Sequence, residues 1–172
     1  LVMGYGITIA VSVIIIIISL VLMSVQKGQY TDILDKYVES NMKVSECRIS
    51  YNIAARNLRD AVLSGDMSNI DNANSKISEL KEELTQLSGI YPLDDKTELN
   101  NFVKLVENWE AEAENIGQTA RTDQSQAATM IVNNCSPVLA QAASAGDSLA
   151  QKLQAAQADI ISQQNMVSTI AI

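Results

Sequence analysis

Apolar residues recur at steps of three and four along most of this chain, which is the spacing of a helix with one buried face. Three successive segments follow this rhythm after residue 68, and Ser88–Pro92 and a polar stretch at 117–122 separate them. The apolar positions are Ile70, Ala73, Ile77, Leu80, Leu84, Leu87; Leu99, Phe102, Val106, Trp109, Ala113, Ile116; and Ala128, Ile131, Cys135, Val138, Ala142, Ala145, Leu149, Leu153, Ala156, Ile160. The pattern predicts three amphipathic helices joined by short turns.

The part of the chain before residue 64 predicts one long helix. Its apolar stripe continues in helical steps without a proline or a turn cluster until Ser64, Gly65 and Asp66. The stripe comprises Tyr30, Leu34, Tyr37, Val44, Tyr51, Ala55, Leu58, Val62. We therefore expect a helix that ends at Leu63.

Residues 7–25 form an almost unbroken apolar run, and residues 1–26 carry no charge. A run of roughly 20 apolar residues can cross a bilayer as a helix. A cleaved signal peptide is the alternative, but no small-residue cleavage site follows. Residues 166–172 are apolar again, and we expect them to begin a second span that the sequence cuts short; an apolar tail is the alternative. The chain begins with Leu1, so we expect a piece of a longer protein.

Together these patterns predict an all-α fold, an antiparallel up-down four-helix bundle whose first helix continues an N-terminal transmembrane helix. The expected divisions are a transmembrane helix at 1–26, a helical bundle at 27–162 and the start of a second, truncated transmembrane segment at 163–172. Helix four lacks charge between Asp123 and Asp147. We expect it to be enclosed by its own bundle and by a second subunit, which predicts a homodimer.

Composition excludes several classes of function. The 172 residues carry a net charge of −8, which argues against a nucleic-acid partner. Histidine is absent, so the usual general base and metal ligand are missing. No catalytic constellation appears, and we expect no enzyme activity, no metal and no cofactor. The two cysteines, Cys47 and Cys135, are expected to be buried thiols, with a disulfide as the alternative.

Four polar side chains share one narrow arc of the first helix: Arg48, Asn52, Arg56 and Arg59. One apolar stripe lies on one side of the arc, and a second stripe begins with Ile49 and Ile53 on the other. The remaining face, with Glu46, Ser50 and Asn57, is expected to face solvent. A guanidinium enclosed by apolar surface requires an anion, because unpaired buried charge is costly. That anion could be a carboxylate from a neighbouring helix or a small ligand such as a carboxylate or amino acid.

The fourth helix contains Pro137, which removes a backbone hydrogen bond and frees the carbonyl of Asn133. If the first and fourth helices pair antiparallel from residues 63 and 123, residues 130–138 lie opposite residues 48–56. Asn133 and Asn134 would then face the arginines. The candidate ligand-binding residues are Arg48, Asn52, Arg56, Arg59, Asn133, Asn134. The acidic residues of the third helix are expected to form a solvated face: Glu107, Glu110, Glu112, Glu114.

The apolar run leading into residues 41–60, with Trp109 on the third helix and residues 134–137 on the fourth, resembles the four-helix-bundle sensor domain of methyl-accepting chemotaxis proteins. The resemblance covers almost the whole chain. It implies a homodimeric receptor in the cell membrane whose bundle lies outside the cytoplasm. It also implies that a small attractant or repellent binds between the first and fourth helices, and that movement of the fourth helix signals across the membrane to cytoplasmic partners.

In that family, arginines on the first helix hold the ligand's carboxylates, and the matching positions here are Arg48, Arg56 and Arg59. Their spacing departs from that of the best-known aspartate receptors, so the ligand is not specified. Two alternatives remain open. The same module could belong to a histidine kinase or a diguanylate cyclase, or the chain could be a membrane-tethered structural bundle without a ligand.

Overall fold

The computed structural model describes the backbone of residues 2–170 and the side chains of residue 28 and of residues 30–164. Within that range every regular element is helical, which confirms the predicted all-α class. The elements are α1 (Val2–Ser64), α2 (Ser68–Ile90), α3 (Thr97–Ala120), α4 (Gln124–Met130), a π-helical segment (Ile131–Cys135) and α5 (Ser136–Ile170). The fourth predicted helix is therefore α4, the π segment and α5 in succession.

Two of the turns have a local chemical cause. Gly65 adopts a φ of 77°, a left-handed conformation that ends α1, and its N–H donates to the carbonyl of Ala61 over 2.9 Å. Asp66 accepts the N–H of Ser68 over 3.0 Å at the start of α2. Asp123 caps α4, because its side chain accepts the N–H of Gln126 over 2.9 Å.

The core is a single apolar cluster to which all the helices contribute. All six apolar positions predicted in α2 and all six predicted in α3 are buried. Trp109 and Phe102 are fully buried at the centre of α3, and the Tyr51 ring of α1 lies 6.2 Å from the Trp109 ring, centroid to centroid. The predicted apolar periodicity is therefore the periodicity of the core.

Polar contacts tie the helices together at several levels. Ser50 on α1 donates to Glu83 on α2 over 3.0 Å. Further interhelical and turn contacts among the described residues are Lys81–Glu110, Lys81–Glu114, Asp71–Arg121, Asp95–Lys152, Arg48–Asp147 and Val62–Gln124.

Two predictions about polar faces are wrong. Ser50, expected on the solvent face of α1, is 5% exposed and bonded to Glu83. Glu110, expected on a solvated face of α3, is 4% exposed. Both side chains border the apolar stripe of their own helix, so a neighbouring helix covers them.

Among the described residues, no helical stretch is both long enough and apolar enough to cross a bilayer. The two predicted spans, at residues 7–25 and 166–172, lie outside the residues that are described in full. The membrane spans, the division at residues 26 and 162 and the up-down bundle therefore stay predictions.

Candidate functional site

Arg48 is the one member of the predicted arginine arc that forms an ion pair among the described residues. Its Nη1 lies 2.8 Å from Oδ1 of Asp147 on α5. The Arg48 side chain is 37% exposed and the Asp147 side chain 56% exposed, so water reaches both partners. Arg48 thus meets a carboxylate from another helix, one of the two anions that the sequence left open.

Helices α1, α3 and α5 approach one another closely beside this ion pair. A Cβ atom on Gly146 would lie 3.1 Å from Cε2 of Phe102 and 3.5 Å from Cδ of Arg48. Glycine at this position therefore lets the stem of Arg48 and the ring of Phe102 pack directly on the α5 backbone. The contact sets the level at which α1 meets α5.

The rest of the arc is exposed, which overturns the expectation that apolar surface encloses it. Asn52, Arg56 and Arg59 all face solvent. The Asn52 side chain donates to the carbonyl of Arg48, one turn earlier, over 2.7 Å. Within the described part of the chain, neither Arg56 nor Arg59 has an ion pair. We call these three residues the arginine surface.

The π segment lies beside this surface. Arg59 is near enough to Cys135 to act on its thiol: burial raises the pKa of Cys135, while the neighbouring Trp109 side chain and the charge of Arg59 oppose the rise. The helix widens just before Pro137, where the N–H of Ser136 donates to the carbonyl of Ile131, five residues earlier. A π turn accommodates the proline, which has no N–H of its own.

The predicted alignment of α1 with the fourth helix is wrong at Arg48. We expected residues 48–56 opposite residues 130–138, but Arg48 meets Gly146 and Asp147. Arg59 is the arginine at the level of the π segment. Asn133 and Asn134 are exposed, and among the described residues neither forms a hydrogen bond with an arginine of the arc.

An open groove of about 590 Å³ runs between α1 and α5, beside Arg48. Its α1 wall carries three exposed apolar side chains, Val38, Met42 and Ile49. Its α5 wall is formed by Ala150, Gln154, Gln157. We call Val38, Met42 and Ile49 the α1 apolar stripe; it includes the first residue of the second stripe that the sequence predicted.

Both cysteines are free and buried, which agrees with the predicted buried thiols. Burial, with the charge of Glu83, raises the pKa of Cys47 to about 12. Among the described residues, no cluster of three or more potential metal ligands is present.

Sequence reasoning missed three residues that the structure makes prominent. Asp147 was noted only as the end of a charge-free run, and its pairing depends on how α1 aligns with α5. Glu110 follows Val106 by four residues and precedes Ala113 by three, so helical spacing alone could have placed it beside the core. Lys81 contacts both Glu110 and Glu114, which needs the packing of α2 on α3.

Comparison with protein-family models, with curated proteins and with solved structures found no match to this chain. The family resemblance therefore depends on the sequence motifs alone.

Proposed function

We propose that the chain is the ligand-sensing module of a transmembrane chemoreceptor of the methyl-accepting type. The receptor lies in the cell membrane, and its sensor domain lies outside the cytoplasm. It binds a small anion, a carboxylate or an amino acid, and passes a conformational change to cytoplasmic signalling partners. It performs no chemistry of its own. Arg56 and Arg59 are the primary anion contacts, with Asn52, Asn133 and Asn134 supplying amide groups at the border.

The observation that carries this proposal is the contrast between the arginines of one arc. Arg48 has a carboxylate partner, whereas Arg56 and Arg59 have none among the described residues. A planar guanidinium fork matches a carboxylate or phosphate. Two unpaired forks one turn apart, beside an irregular helical segment, are a suitable receptor for an anion that bridges α1 and the fourth helix.

The arrangement of the helices supports an antiparallel up-down bundle. Along α1, Arg48 meets Asp147, Arg59 lies near Cys135 and the Val62 carbonyl accepts from Gln124, so the partner number falls as the α1 number rises. The pairs Asp71–Arg121 and Lys81–Glu114 show the same relationship between α2 and α3. In such a bundle the beginning of α1 and the end of α5 lie on the same side, which is the arrangement that two membrane spans require.

The α1 apolar stripe supports the proposed homodimer. Met42 and Ile49 are more than half exposed, at 57% and 59%. Because a two-fold interface joins the same patch on both subunits, an apolar stripe along one helix can cover itself. Dimerisation through α1 would bring the two arginine surfaces to the border of one interface.

The structural alternative, a membrane-tethered bundle without a ligand, draws its support from Arg48. That arginine is satisfied internally and needs no ligand. The alternative would require Arg56 and Arg59 to remain hydrated cations, which exposed arginines do at little cost. Ligand binding by Arg56 and Arg59 therefore separates the two functions.

The full chain, reconstituted in lipid nanodiscs, would be screened by thermal denaturation against carboxylates and amino acids. A ligand should raise the melting temperature, and Arg56→Ala should abolish this rise. Arg59→Lys should lower the affinity for the ligand by about tenfold or more, since lysine lacks the planar guanidinium group. Arg121→Ala is the matched control, because Arg121 is an exposed arginine that pairs with Asp71 instead.

The proposal fails if no carboxylate or amino acid stabilises the wild-type chain. It also fails if Arg56→Ala, measured without ligand, lowers the melting temperature by as much as it reduces the increase that the ligand causes. A hybrid in which the chain replaces the sensor domain of a chemoreceptor tests the output. Ligand should change receptor methylation in this hybrid and leave it unchanged in the Arg56→Ala hybrid.

A further inference from the structure

A cavity of about 420 Å³ lies between α2 and α3, on a different face from the arginine surface. Two apolar side chains, Leu84 and Val103, form part of its wall. The polar residues that line it are Lys81, Thr85, Ser88, Glu107, Glu110. No residue of the arginine surface takes part, so this cavity is independent of the function proposed above.

Glu110 lines the cavity with a buried, incompletely paired carboxylate. The residue is 4% exposed, and its Oε1 has no hydrogen-bond partner among the described residues. Its Oε2 lies 3.9 Å from Nζ of Lys81, beyond hydrogen-bond distance. A buried carboxylate without donors carries a desolvation cost that a bound donor would offset.

The hydroxyl groups of the cavity can only accept. Thr85 donates its proton to the carbonyl of Lys81 over 2.9 Å, and Ser88 donates to the carbonyl of Leu84 over 2.8 Å. Each hydroxyl has one proton, so the lone pairs are what remains for a ligand. Apart from Lys81, every polar side chain that lines the cavity is thus an acceptor.

The charge around the cavity is negative despite Lys81. The Lys81 ammonium lies 3.0 Å from Oε1 of Glu114, a carboxylate that does not line the cavity, and this contact offsets the charge of Lys81. Glu107 and Glu110 then remain as two carboxylates without a full cationic partner. A positive ligand with several N–H donors and a short apolar part fits these walls.

We propose that the α2–α3 cavity is a binding site for a primary ammonium group on a short alkyl chain. The ammonium donates to the carboxylate of Glu110 and to the hydroxyl oxygens of Thr85 and Ser88. The alkyl part packs on Leu84 and Val103, and Glu107 completes the charge balance at the opening.

Binding at this site is linked to pH. Burial raises the pKa of Glu110 to about 7; Glu107 and Glu114 add to the rise, and Lys81 opposes it. Protonated Glu110 cannot balance a cation, so affinity falls as the pH drops through about 7. A bound ammonium lowers the pKa again, and binding near neutral pH releases a proton.

The probe is n-butylammonium chloride, titrated calorimetrically into the full chain in a non-ionic detergent. We expect saturable binding at about pH 8.5 that weakens at about pH 5.5. Glu110→Gln should weaken binding by about tenfold or more, because it removes the charge but keeps the shape. Thr85→Val should weaken it by a smaller factor. Glu82→Gln, at an exposed position of α2, should leave it unchanged.

Tetramethylammonium chloride is the matched control ligand, since it has the same charge but no N–H donor. It should not bind. The proposal is overturned if the wild-type chain does not bind n-butylammonium, if tetramethylammonium binds as well, or if Glu110→Gln binds it unchanged. Circular dichroism checks the folding of each variant, and Thr85→Val decides the matter if Glu110→Gln is not helical.

Discussion

Arg48 on α1 and Asp147 on α5 form an ion pair, with Nη1 2.8 Å from Oδ1. The pair joins the first helix to the last at the level of Gly146, where no side chain separates them. It therefore assigns a structural role to one arginine of the arc, whereas Arg56 and Arg59 have no such partner among the residues that the structure describes. If a ligand at Arg56 and Arg59 moves α5 relative to α1, the Arg48–Asp147 ion pair must follow the movement.

The Arg48–Asp147 pair should contribute little to stability, because water reaches both side chains. A double-mutant cycle with Arg48→Ala and Asp147→Ala should give a coupling free energy of about 0.2–1 kcal/mol. Urea unfolding followed by circular dichroism measures it, and added salt should reduce it. A coupling several times larger would mean that the pair is shielded from water by a second subunit.

Glu110→Gln should change how stability depends on pH. The pKa of Glu110 is raised from 4.5 to about 7 in the folded state, so the folded chain holds this proton more tightly than the unfolded chain. The corresponding stability is fully present below about pH 4.5 and is lost as the pH rises through about 7. Between these limits the wild type should lose on the order of 1–3 kcal/mol relative to Glu110→Gln.

The measurement is the free energy of unfolding of both proteins across this pH range. Glu82→Gln should follow the wild type at every pH, since it removes an exposed carboxylate. Parallel curves for the wild type and Glu110→Gln would show that Glu110 is ionised and solvated like an ordinary surface residue.

The two thiols should differ in reactivity in the folded protein. Cys47 is 0% exposed and has a pKa of about 12, so it presents almost no thiolate to an alkylating reagent. Cys135 is 4% exposed, and Arg59 opposes the rise of its pKa, so it should react first. Peptide mass spectrometry of a time course with iodoacetamide measures both sites. Equal rates in native and urea-unfolded protein would contradict the burial of these thiols.

The proposed dimer makes a prediction at Ile49. A cysteine introduced there, on the α1 apolar stripe, should cross-link two subunits in membranes, because a two-fold axis brings the same residue together. Lys104→Cys is the control, since Lys104 is exposed on α3, away from the stripe. Gel electrophoresis without reductant measures the fraction of dimer. More efficient cross-linking at Lys104 would assign the interface to α3.

Much of the fold was predictable because helix formation depends on residues that are close together in the sequence. The apolar positions of α2, from Ile70 to Leu87, are all buried as their spacing indicates. Gly65 and Asp123 mark ends of helices through backbone conformation and capping, which act within a few residues. The π segment was not predictable from Pro137, because a kink and a widened turn both satisfy a residue without an N–H.

The candidate site was predicted only in part. The sequence brought Arg48, Asn52, Arg56 and Arg59 to one arc, since side chains three and four residues apart share a helix face. It did not show that, within the described part of the chain, Arg48 would be the arginine of the arc that meets a carboxylate. That outcome depends on which residues of α1 and α5 lie opposite each other. Side-chain volumes at the contact, such as those of Gly146 and Phe102, decide this alignment.

The amino-acid sequence by itself determined the all-helical class, the approximate positions of the turns and the apolar positions of α2 and α3 that enter the core. These properties follow from backbone conformation and from the period of the helix. Only the tertiary structure decided that Asp147 pairs with Arg48, that Arg56 and Arg59 face water, and that Glu110 is buried beside a cavity. Pairing and burial are properties of two helices in contact, and residues far apart in the chain set the electrostatic environment of each charge.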